Sequence, residues 1–184
     1  MKTYTIIGGI NGAGKSSLTG VLKTRMNLGR IIDVDKIAHQ NRLTAMEAGK
    51  KAVALIEECL EKGISFAQET TLSGQKTLST IKRAHELGYD VRLFYVGLDT
   101  AEECILRIQN RVAKGGHDIP KADVIRRFED RVKSLAAVLP CCDEAVFFDN
   151  NNGFCEVAEY KNGELTAKSH SPDWLKELLK LLID

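Results

Sequence analysis

The sequence predicts an α/β fold built on a parallel sheet, and three observations point to it. Short apolar runs alternate with longer amphipathic segments along the chain. The first run leads into Gly9-Ile10-Asn11-Gly12-Ala13-Gly14-Lys15-Ser16, a complete G-x-x-x-x-G-K-[ST] string. A helix-compatible segment follows at once, so strand, glycine-rich loop and helix stand in the order a phosphate-binding loop requires. The expected architecture is a P-loop NTPase fold of the kinase type. It has a five-stranded parallel sheet flanked by helices, a helical lid and a C-terminal β-hairpin.

The elements follow from the pattern. Tyr4–Ile7 reads as the first strand and Ser17–Met26 as the first helix. Arg30–Val34 is a second short strand ending in acids. Ala45–Glu61 places Ala52, Leu55, Ile56, Cys59 and Leu60 in helical register until Gly63 stops it. Ile64–Gln68 is a third strand ending at Glu69. Thr77–Leu87 is helical and closes at Gly88, and Val91–Val96 is a strongly apolar fourth strand. Thr100–Lys114 and Lys121–Leu139 read as two helices joined by a Gly115-Gly116-His117 hinge. Ala145–Phe148 is the fifth strand. The hairpin, Phe154–Tyr160 and Leu165–Ser169, turns at Asn162-Gly163, and Trp174–Leu182 closes the chain as a helix. The 184 residues read as a single domain with the lid at about 107–131.

Bulk composition narrows the function classes. A hydrophobic content of 43% and a formal charge of +1 give no footprint for a nucleic-acid or membrane partner. No apolar run reaches the length of a membrane span, and no signal peptide is apparent. The five cysteines are odd in number and lack C-x-x-C spacing, so they read as free thiols in a cytoplasmic protein. A dinucleotide fingerprint fails because its third glycine is missing. The guanine-reading Asn-Lys-x-Asp string is also absent.

The loop assigns the first site residues. Backbone N–H groups of Asn11, Gly12, Ala13, Gly14, Lys15, Ser16 and Ser17 would cradle the phosphates of ATP, with the dipole of the new helix behind them. Lys15 would reach the β/γ oxygens, and the Ser16 hydroxyl would ligate Mg²⁺. In open α/β sheets the ligand lies beyond the carboxyl ends of the strands. Asp33 and Asp35 end the second strand, and Glu69-Thr70-Thr71 follows the third. Phosphoryl transfer needs an acid to orient and deprotonate the attacking hydroxyl, and Asp35 is the candidate. Asp33 either faces the acceptor or caps the next helix. Arg107, Arg111 and Lys114 share a helix face, and Arg126, Arg127, Arg131 and Lys133 lie beyond the glycine hinge. Such a lid would neutralise charge on the transferred phosphoryl group, with Arg111 and Arg127 favoured. His117 either contacts phosphate or acceptor, or anchors its loop; His39 reads as a structural or surface residue.

These strings together resemble the zeta-toxin-like P-loop kinases. The resemblance rests on Gly9–Ser16, Ile32–Ile37, Glu69-Thr70-Thr71-Leu72-Ser73-Gly74, Arg111 to Pro120, Arg126-Arg127-Phe128 and Asp149-Asn150, and runs to about residue 150. It implies that Asp35 activates the acceptor hydroxyl and that Glu69 and Thr71 lie in the acceptor site. It also implies that Arg111 and Arg127 grip the transferred phosphate and that Asp149-Asn150 wraps adenine. The best-known members phosphorylate UDP-N-acetylglucosamine, and an antitoxin partner is implied for toxic members. The Gly-Gly-His lid resembles that of small stand-alone relatives. The expected function is ATP- and Mg²⁺-dependent phosphorylation of a small-molecule hydroxyl. The alternative is a nucleotide-binding regulatory or toxin–antitoxin-type protein with little turnover.

Overall fold

A computed structural model describes residues 1–183. Seven strands form one sheet in the order β2-β3-β1-β4-β5-β6-β7: β1 Thr3–Gly8, β2 Arg30–Asp33, β3 Phe66–Thr70, β4 Asp90–Gly97, β5 Glu144–Asp149, β6 Cys155–Lys161 and β7 Glu164–Ala167. The five expected strands are parallel throughout. The hairpin is not a separate appendage, because β6 pairs antiparallel with β5 and carries β7 outward. The sheet is therefore mixed and seven-stranded rather than parallel and five-stranded.

Helices cover both faces: α1 Lys15–Arg25, α2 Val34–Asn41, α3 Ala45–Lys62, α4 Lys76–Glu86, α5 Ala101–Ala113, α6 Lys121–Glu129, α7 Arg131–Val138 and α8 Asp173–Ile183. The central strand β1 shows why the strand runs are so apolar. Tyr4 and Ile6 enter one buried cluster, with residues of α3, α4, α7 and α8. Ile7 enters the other, with Leu18 and Leu22 of α1, Ile108 of α5 and Val124 of α6. A strand covered on both faces has no exposed side to mark with polar residues.

Two helices depart from the sequence pattern. The segment after β2 is helical, with Ile37 as the one buried residue of its eight. The expected helix 121–139 is broken at Asp130 into α6 and α7, and a single 3₁₀ turn, Leu139–Cys141, follows. Arg131, expected in the lid, is instead buried beside that break. Its guanidinium stacks on Phe128 at 3.8 Å and pairs with Glu177 of α8 at 3.0 Å. Among the described residues, no helix is long and apolar enough to cross a membrane.

Candidate active site

The turn from β1 to α1 is a tight nest. Gly12 has φ +84°, and a Cβ there would meet the Cys104 carbonyl oxygen at 2.5 Å, so both backbone shape and space demand glycine. Gly14 lies against Asn150 and Phe154, from the turn after β5. Asn150 Nδ2 donates to the Ala13 carbonyl at 2.8 Å and clamps the loop from outside. Asn11, Gly12, Gly14, Lys15, Ser16 and Ser17 line a cleft of about 290 Å³. Lys15 Nζ donates to the Ile10 carbonyl at 3.1 Å. Burial pushes its pKa down, against the raising influence of Glu69, Asp35 and Asp33.

The parallel register brings the ends of β1, β2 and β3 together: Asp33 pairs with Glu69, and Glu69 with Ile7. Glu69 is fastened to α1, accepting from Ser16 Oγ at 2.8 Å and from Thr19 Oγ1 at 2.7 Å. It therefore faces the phosphate loop. Asp33 caps α2, its Oδ1 accepting from the backbone N–H of Asp35 at 3.0 Å and of Lys36 at 3.2 Å. Its Oδ2 lies 3.3 Å from Lys36 Nζ. Such a cap is worth about 1 kcal/mol and starts the helix with Asp35 in its first turn.

Asp35 stands where two cavities meet. It lines the phosphate-loop cleft and also a cavity of about 740 Å³ between α2 and α5. The α5 face arrives as expected: Arg107 and Arg111 line both cavities, and Lys114 lines the larger one. Arg107 is fixed by Glu103 at 2.8 Å and by the Asn150 carbonyl at 2.6 Å. Arg111 Nη2 donates to the His117 carbonyl at 2.7 Å, holding the hinge against its helix. His117 lines the larger cavity as well.

Other expected residues lie apart. Arg127 reaches the nest only through Asn11, donating to its Oδ1 at 2.6 Å, and lines a separate cleft beside Ser73 and Gly74. Thr71 lines neither of the two joined cavities; its hydroxyl lies 2.9 Å from that of Ser73. Asp149 is buried structure, accepting from the Trp174 indole at 3.1 Å and from Asn151 at 2.7 Å. Conversely, His39, Gln40 and Lys36 line the larger cavity although sequence reading passed them over. The spacing of four from Asp35 to His39 would have joined them had the helix offered to Asp33 as a cap been extended to Asn41. Phe154, 38% exposed and packed edge-on against Phe148, was missed as a neighbour of the nest.

Sheet order, loop and flanking helices together define a P-loop protein of the kinase fold. The Zeta toxin family profile matches residues 1–155, and the chain belongs to that family. An uncharacterized protein of Haemophilus influenzae is 37% identical over 123 residues, covering 64% of this chain and 86% of its own. Among solved structures, one from the PezAT chromosomal toxin–antitoxin system of Streptococcus pneumoniae superposes with a TM-score of 0.67 at 18% identity. That match covers 100% of this chain and 85% of the other. AvrRxo1-ORF1:-ORF2, solved with ATP, matches with a TM-score of 0.69 at 16% identity, covering 99% of this chain and 63% of its own.

Proposed function

We propose that this chain is an ATP- and Mg²⁺-dependent phosphotransferase that moves the γ-phosphoryl group to a hydroxyl of a small molecule. The position of Asp35 carries the reading: the residue lines both the phosphate cleft and the larger cavity. A hydroxyl bound in the larger cavity would meet that base on its way to the γ-phosphorus.

The remaining residues divide the work. The loop amides and Lys15 hold the triphosphate, and phosphate oxygens would restore the favour for the ammonium form of Lys15 that burial removes. Ser16 would hold Mg²⁺, which would offset charge on the phosphate oxygens, and Glu69, hydrogen-bonded to the Ser16 hydroxyl, would stand behind it. Magnesium held through phosphates and water needs no cage of protein carboxylates. Arg107 and Arg111 face the transferred group. The adenine would lie beside Asn150 and Phe154, on the outer side of Gly14.

Asp35→Asn is expected to lower phosphoryl transfer by about three orders of magnitude, the range of a lost general base. Affinity for ATP should change less than about threefold. Radiolabelled ATP incubated with a metabolite extract, with nucleotide affinity measured alongside, checks both. A variant with wild-type turnover removes Asp35 from the chemistry.

A nucleotide-binding regulatory protein with an antitoxin partner is the second reading. The likeness to a structure from a toxin–antitoxin system favours it. Nucleotide binding by the unmutated chain, with no labelled product from any extract, would select that reading.

A further inference from the structure

The larger cavity carries a chemical signature of its acceptor. Ligand pockets are usually walled mainly by apolar and aromatic side chains. Here every lining side chain is polar or charged, and two glycines complete the wall. No phenyl, phenol or indole ring borders it among the described residues. His39 and His117 also border a smaller cleft whose other side chains, Val34, Ala38, Leu43 and Ala45, are aliphatic apart from Asp35. The cavity's polar groups stand at the ends of aliphatic stems, so hydrogen-bonding atoms and methylene surface share its wall.

Its charges are unequally committed. Lys36 is paired with Asp33, and Arg107 with Glu103. Among the described residues, Arg111 and Lys114 have no carboxylate partner within ion-pair distance. Arg111 also lines the phosphate-loop cleft, where the γ-phosphate would claim it. Lys114 borders the larger cavity and not that cleft, one helical turn further from the nest. Asn110, on the same face, and the two histidines accompany it. Asp35 lines the same cavity from α2, and on the kinase reading it takes the reacting hydroxyl.

We infer that the acceptor is a small polyhydroxylated acid without a nucleobase, a sugar phosphate or a sugar carboxylate, whose anionic group is held by Lys114 while one hydroxyl meets Asp35. The inference rests on the kinase reading. In the step itself, the acceptor oxygen forms its bond to the γ-phosphorus, the bond from that phosphorus to the β,γ-bridging oxygen breaks, ADP leaves, and the hydroxyl proton passes to Asp35.

The test uses the full chain saturated with Mg²⁺ and a non-hydrolysable ATP analogue. Calorimetry compares aldohexose 6-phosphates, aldonates, neutral hexitols and UDP-N-acetylglucosamine. A charged hydrogen-bond partner should make one anionic class bind about ten- to a hundredfold more tightly than the hexitols. The phosphate and carboxylate arms decide which anion it is. Lys114→Gln should erase that margin, and Lys114→Arg should keep most of it. Equal affinity for hexitols and acids, tighter binding of UDP-N-acetylglucosamine, or a margin intact in Lys114→Gln overturns the inference. The same panel is then run with radiolabelled ATP. Lys114-dependent binding without any transfer overturns the kinase reading, and with it the ligand's role as acceptor, while the site for an anionic polyol stands.

Discussion

Two glycine-bearing turns border the two joined cavities, Gly12 the phosphate-loop cleft and Gly115 the larger one, and they are built on opposite terms. At Gly12 in the phosphate nest, left-handed backbone coincides with a wall: the Cys104 carbonyl occupies the space a side chain would need. At Gly115 in the hinge, φ is +83° but no heavy atom lies within 4 Å of a Cβ position. The nest is held by what surrounds it, including Asn150 on Ala13 and Asn11 under Arg127. The hinge is held from one side, by Arg111 reaching the His117 carbonyl and by the Gly116 N–H donating to the Arg111 carbonyl. The phosphate nest is thus shaped in advance by main chain around it, whereas the wall of the larger cavity has open space at Gly115.

Substitutions can break that contrast at either end. Gly12→Ala should have the largest effect, combining about 1–3 kcal/mol of backbone strain with a clash against main chain. Nucleotide affinity should fall at least about thirtyfold by calorimetry, and the melting temperature should drop. Phe154→Ala should act more mildly. Loss of a ring against the base is worth about 1 kcal/mol, giving a several-fold rise in KM for ATP with kcat retained. Gly115→Ala should be mildest for the fold, adding about 1 kcal/mol of left-handed strain with no contact to relieve. Its melting temperature and ATP affinity should stay near wild type, while KM for the acceptor rises. An equal loss of ATP affinity in Gly12→Ala and Gly115→Ala would erase the distinction between a fixed nest and an adjustable hinge.

The legible parts of the molecule were those written in local pattern. The phosphate loop, the five parallel strands and the Arg107–Arg111–Lys114 face all follow from motif or period. What escaped depends on contacts between distant residues. Glu69 reaches Ser16 across 53 positions, and Asp149 meets the Trp174 indole across 25. Neither pairing leaves a mark in its own neighbourhood. Helix α2 entered the sequence reading only as a helix for Asp33 to cap, without bounds: with Ile37 alone buried, it lacks the apolar stripe by which helices are delimited. Leaving its extent unassigned also hid His39 from Asp35. The hairpin itself was readable, but its docking on β5 was not, since strand pairing across a turn-rich connection has no local code.

The cap at Asp33 has a consequence for how such an enzyme can diversify. Because the α2 N-terminus is locked by its own preceding carboxylate, the place of Asp35 is set by a contact two residues away. Partner discrimination begins further along, at Lys36, His39 and Gln40, and across the gap at Asn110 and Lys114. Exchanges at those positions can retune which metabolite is admitted without dismantling the reacting centre. On the proposed reading, one scaffold would be redirected to new ligands through a few side chains on two helices, with the capped turn at Asp35 left intact.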